Sequence, residues 1–175
     1  YTADNLNKVD KIILTFPGSI KPVVDSVEKL KAPDSLQLKE PTDVNSEVIT
    51  FALKPRYMAI RVWAFAGRKL ASDAEADSYI NKMATVFTKG LVYDPSKALA
   101  EEGGGGGFSN IKTPPSYRKL ADPRPKLKNN NIPVLIIKGQ YDNIPWGNTN
   151  EYFSVFKNGQ LKIIEKSGHD VYIEK

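Results

Sequence analysis

The chain contains one histidine, His169, and no cysteine. Imidazole chemistry in these residues must run through His169, and thiol nucleophiles, disulfides and zinc-thiolate sites are excluded from them. Metal motifs that need two histidines at a fixed spacing cannot form either. A general-base histidine requires an acid that fixes its tautomer and stabilises the imidazolium. Asp142 is the candidate. It stands three residues beyond Gly139, which ends the apolar run Ile132 to Lys138, IPVLIIK. His169 lies in the loop opened by Ser167-Gly168, which ends a second apolar run, Leu161 to Glu165, LKIIE. If both runs are neighbouring parallel strands, about 4.8 Å apart, loops leaving the same carboxyl edge bring the two side chains within hydrogen-bonding range. Asp170 is a rival orienter, although adjacent side chains seldom point to the same side. The blander readings are a surface histidine and a turn-forming aspartate in Tyr141-Asp142-Asn143.

The elements that would position this pair follow from the apolar pattern. Between the two runs lie a loop, a helix expected near 149–157 and an Asn158-Gly159 turn, so the connection is a right-handed crossover. A third run, Leu6 to Phe16, is ended by Pro17-Gly18. Its nearly unbroken β-branched centre suits a strand covered on both faces, as in a parallel sheet. Three interior strands cannot stand alone, so a partner chain or a preceding N-terminal part is expected to supply neighbours.

Residues 20 to 128 read as mostly helical. Pro22 suits a first helical position, with Val23, Val24, Val27 and Leu30 at helical spacing before Pro33. A second helix is expected from Ser46 to just before Pro55. Arg56 to Leu70 is apolar on more than one side and implies burial against another layer. Ser72 to Glu75 has the form of a capping box, and Tyr79, Ile80, Met83, Val86 and Phe87 continue one stripe toward Gly90. Glu101-Glu102 leads into Gly103 to Gly107, which lacks the context of a phosphate-binding loop and reads as a flexible loop. Thr113 to Lys128, with four prolines, reads as an irregular return path. Trp63, Phe65, Tyr141 and Trp146 are expected in the core or a pocket wall, and Tyr172 behind the histidine loop.

With 175 residues, 41% of them hydrophobic, the chain can bury a sizeable core. The net charge of +5 is spread along the sequence rather than gathered with aromatics, so no nucleic-acid partner is expected. No apolar run approaches the roughly 20 residues of a membrane span, and residues 1 to 20 lack a signal-peptide layout. A soluble protein is expected, its localisation open with the cytoplasm favoured.

These residues carry a resemblance. Ile132 to Lys175 resembles the C-terminal part of the α/β-hydrolase fold, in which a strand followed by G-x-x-D and a strand followed by G-H supply acid and base. Asn7 to Ile20 is similar to the strand that precedes a helical cap, and Asp122 to Leu127 to the return from cap to sheet. The resemblance implies that Asp142 is the triad acid and His169 the triad base. It implies a core of 1–20 with 129–175, a cap of 21–128, no cofactor or metal, and a small amide, peptide or ester substrate. A long helical insertion at this place resembles the proline iminopeptidase-like branch. Capped epoxide hydrolases and dehalogenases, with an Asp nucleophile, share the layout. No G-x-S-x-G occurs, so the nucleophile is expected upstream, the chain being the C-terminal half of a longer hydrolase and inactive alone. The rival readings are an inactive, hydrolase-like binding protein and a self-sufficient small α/β domain.

Overall fold

A computed structural model describes residues 2–21, 29–100, 105–117, 120–128 and 130–175. Three strands form one parallel sheet in the order β1-β2-β3: β1 is Ile12–Thr15, β2 is Val134–Gly139 and β3 is Gly159–Ile164. Ile12 pairs with Val134, and Val134 in turn with Gly159, so the three strands point their carboxyl ends to one edge. The first strand is shorter than the sequence suggested. Single 3₁₀ turns at Thr2–Asp4 and Leu6–Lys8 precede it, and Leu6 packs on the sheet from one of them.

Between β1 and β2 come α1 (Asn45–Ala52), α2 (Pro55–Phe65), α3 (Asp73–Thr88), α4 (Gly107–Tyr117) and the short α5 (Arg124–Leu127). Then α6 (Trp146–Val155) joins β2 to β3, and α7 (Val171–Glu174) follows the histidine loop. The helix expected at Pro22 to Val27 lies outside the described residues, as do Glu101, Glu102, Gly103 and Gly104. α6 begins at Trp146 rather than Thr149, because Pro145, whose backbone is extended, sets the start one residue before it.

Period 2 puts Ile12 and Leu14 on the same face as Val134 and Ile136, where Leu127, Val155 and Phe156 complete the core. Coverage on both faces, expected from the apolar runs, does not extend to β1. Ile13, on its other face, is 66% exposed, because the side chains gathered against β1 occupy one side only. A second cluster, Ile60, Ala64, Ala76 and Ile111, holds α2, α3 and α4 together, and the Tyr57 and Tyr79 rings stack at 5.4 Å.

The helical segment corrects four expectations. α2 buries Tyr57, Ile60 and Ala64, a single stripe, and leaves Trp63 and Phe65 42% and 60% exposed rather than in the core. The capping box at Ser72 is half formed: Ser72 Oγ accepts from the Glu75 N–H, while the Glu75 carboxylate turns instead to Arg56 Nε at 2.7 Å. The end of the glycine run is not a free loop. Gly107 opens α4, its N–H donates to Asp77 Oδ1 at 2.6 Å, and its Cα lies so close to the Ala76 backbone that no side chain fits. Residues 113–117 continue that helix, Pro114 and Pro115 included, so among the described residues the irregular path is confined to 120–123 and is followed by the short α5. Arg124 in α5 pairs with Asp122 at 2.7 Å and Glu151 of α6 at 2.5 Å, and the Arg124 guanidinium holds the Asp122 carboxyl at about 2.

At the carboxyl edge, two glycines bring backbones together. A side chain at Gly139, the last residue of β2, would strike the Gly168 carbonyl, and one at Gly168 would strike Leu91. Gly139→Ala is therefore expected to destabilise the chain by about 3 kcal/mol and lower its melting temperature by about 10 °C. Gly18→Ala, which meets nothing within 4 Å, serves as the control and leaves melting nearly unchanged. Equal melting of the two variants would refute the close approach.

Candidate active site

The loop after β2 is tightly wound. The Asp142 N–H donates to Gly139 O at 3.3 Å and the Ile144 N–H to Asp142 Oδ1 at 3.0 Å, an Asx turn that fixes the carboxylate. The loop after β3 docks on it through the Gln140 N–H to Ile164 O and the Tyr141 N–H to Ser167 O, both 2.9 Å. Lys166 adopts a left-handed backbone there, with φ 49°, which turns the chain sharply out of the strand. The result is direct contact between the two candidate residues. His169 Nδ1 lies 2.8 Å from Asp142 Oδ1.

The partners differ in their exposure. The Asp142 side chain is 1% exposed and that of His169 24%, so the acid is sealed and the imidazole reaches solvent. Phe16, in a left-handed conformation of its own at the end of β1, sets its ring 5.1 Å from the imidazole and covers one side of it. Nδ1 is engaged by Asp142, and Nε2 makes no hydrogen bond among the described residues. An imidazole held in this way can carry its acidic proton on Nδ1 and offer Nε2 as a base.

Burial alone pushes the Asp142 carboxyl up. The bond from His169, the Lys138 ammonium and the Ile144 N–H outweigh it and hold the group below the usual carboxylate range. Lys138 is a residue that the sequence reading passed over. Its ammonium lies 2.9 Å from Asp142 Oδ2 and donates to Ile144 O at 2.7 Å, with the side chain 2% exposed. Burial pushes its pKa down, and Asp142 opposes this only in part. The available signal was a cation at the end of an otherwise apolar strand, four residues before the candidate acid.

Glu174 was also passed over, and no motif marked it. From α7 its carboxylate accepts from the Gly168 N–H at 2.6 Å and from the Tyr93 and Asp94 N–H groups at 2.8 and 3.0 Å. Together with the Asp170 N–H donating to Leu91 O at 2.9 Å, it fastens the histidine loop to segment 91–94. The Tyr141 ring is tilted against that of Tyr93, with centroids 4.7 Å apart. Tyr172 does not sit behind the histidine loop; it is 73% exposed.

A cleft of about 820 Å³ borders the acid side of the pair, with Leu30, Lys39, Lys138, Asp142, Ile144 and Trp146 in its wall. Among the described residues, no group of three or more aspartates, glutamates or histidines is placed to hold a metal ion. No described helix is long and apolar enough to cross a membrane.

No protein-family model matches the sequence, and no curated protein matches it. Solved structures do. An alpha/beta fold family hydrolase from Bacillus anthracis str. Sterne aligns over 99% of this chain and 57% of its own, at 18% identity and a TM-score of 0.53. A serine hydrolase from the polyaromatic hydrocarbon-degrading bacterium Cycloclasticus zankles aligns over 99% and 53%, at 15% identity and a TM-score of 0.46. The chain thus spans little more than half the length of these structures. The three-stranded parallel sheet with its helices is an α/β architecture of the α/β-hydrolase type over the part that this chain covers.

Proposed function

We propose that this chain supplies the acid and the base of a Ser-His-Asp triad that hydrolyses small amide, peptide or ester substrates. The observation that carries the reading is the 2.8 Å contact between a sealed carboxylate and a solvent-reaching imidazole at the carboxyl edge of a parallel sheet. The fold likeness is consistent with it. None of the serines has the small-residue surroundings of a nucleophile elbow, so the nucleophile is assigned to residues that precede Tyr1.

In this reading His169 Nε2 removes the proton from the serine hydroxyl as it attacks the carbonyl carbon, and returns it to the leaving amine or alkoxide. A second cycle delivers water to the acyl-enzyme in the same way. Asp142 keeps its charge throughout: Oδ1 holds the Nδ1 proton and offsets the positive charge that the ring gains. Phe16 limits the ring to one orientation. Residues 1–20 and 129–175 form the core, and 21–128 a cap that closes over the substrate and excludes bulk water. Its length and helical content favour the proline iminopeptidase-like branch.

Turnover of p-nitrophenyl esters and aminoacyl p-nitroanilides by the intact gene product tests the assignment. His169→Ala and Asp142→Asn are each expected to lower kcat by about 10³- to 10⁴-fold with the fold retained. Unchanged turnover in both variants would rule out these roles. Faster cleavage of p-nitrophenyl esters than of prolyl p-nitroanilide would count against the iminopeptidase-like branch.

A further inference from the structure

A buried cation under the candidate acid calls for a physical account. Lys138 shares the strand face of Val134 and Ile136, which are core residues, and its side chain is 2% exposed. Methionine or leucine would fill that volume without desolvating a charge. Buried ion pairs commonly do no better than such apolar replacements, so the pair contributes little to stability as such. What it does change is the geometry of the carboxylate.

The two oxygens of Asp142 are divided between different partners. Oδ1 faces His169 Nδ1 at 2.8 Å and the Ile144 N–H at 3.0 Å, whereas among the described residues Oδ2 faces only the Lys138 ammonium, at 2.9 Å. The same ammonium donates to Ile144 O at 2.7 Å, so one cation grips both the acid and the loop that carries it. Rotation of the carboxylate about its Cβ–Cγ bond would break a charge-assisted bond that nothing else in the described site replaces.

We propose that Lys138 is a positioning residue for the acid and base pair: by engaging Oδ2 it fixes the carboxylate plane, so that Oδ1 alone meets the imidazole and the proton is held on Nδ1. The role rests on the hydrolase reading of this site and deepens it. It leaves Nε2 as the lone-pair nitrogen of the neutral resting ring, so each encounter with the nucleophile finds the ring in the competent tautomer.

In the intact gene product labelled with ¹⁵N-histidine, the ring signals of His169 are the pair lost in His169→Ala. At about pH 8, where an ordinary imidazole is neutral, the native chain is expected to show Nδ1 protonated and Nε2 bare. Lys138→Met removes the cation at similar volume, and Lys138→Gln keeps a neutral donor. Both should move the ring signals toward a tautomer mixture, Lys138→Met further, while far-UV circular dichroism stays native. In the intact gene product, Lys138→Met should lower kcat about tenfold with KM within about twofold, the size expected for one lost charge-assisted bond. On an Asp142→Asn background it should add no further loss.

Native ring signals in whichever Lys138 variants fold would overturn the proposal, as would a further tenfold loss on the Asp142→Asn background. If neither single variant folds, Lys138→Met is made with Asp142→Asn. In that background the cation has lost its anion, so the double variant should melt higher than Asp142→Asn alone, and a lower melting temperature overturns the proposal. The ring signals require no turnover, so the two readings fail separately. Perturbed signals with turnover indifferent to Asp142→Asn would sink the hydrolase reading and leave the positioning role standing.

Discussion

A carboxylate shut away from water governs this end of the molecule. Removing an ionised group from solvent costs several kcal/mol unless its lone pairs are met by well-aligned donors. Asp142 meets that demand with three: the imidazole from the loop after β3, an amide of its own loop, and an ammonium from β2 beneath it. Each donor comes from a different stretch of chain, so satisfying one anion assembles three pieces of backbone. The arrangement also gives each piece a chemical meaning. The strand supplies charge, the turn supplies direction, and the imidazole supplies a group able to exchange a proton.

A second carboxylate performs the same service one step out. Glu174 gathers three backbone N–H groups from two segments, and so anchors the loop that carries His169 to residues 93 and 94 of the helical region. The helical segment is therefore more than a group of helices packed on its own apolar cluster. It touches the backbone on which the imidazole is mounted, through Leu91 as well as through Glu174.

The sheet and the meeting of Asp142 with His169 were legible because their signals are local. Runs such as IPVLIIK admit few conformations, and a glycine at the end of each of the last two runs marks where the chain leaves the strand. Given two adjacent parallel strands, the meeting of Asp142 and His169 follows from strand spacing. Lys138 was hidden because a cation at a strand end ordinarily reaches solvent, and only the position of Asp142 in space makes its burial tolerable. Glu174 was hidden because its partners are backbone amides, which leave no trace in side-chain patterns. The aromatic residues of α2 misled for a related reason: periodicity names the stripe that Tyr57, Ile60 and Ala64 bury, but hydrophobicity elsewhere on the helix says nothing of what covers it. Gly107, at the end of the glycine run, was misread because its close approach to Ala76 is a tertiary fact.

The abutting backbones at Gly139 and Gly168 bear on how such a chain can diverge. Since neither loop has room to accommodate change in the other, an insertion or altered turn in one is tolerated only alongside a matching alteration 29 positions away. Recombination between relatives would succeed with breakpoints outside the interval from β2 to α7 and fail within it. For an engineer, that interval is the smallest cassette in which Asp142 and His169 can be transplanted together.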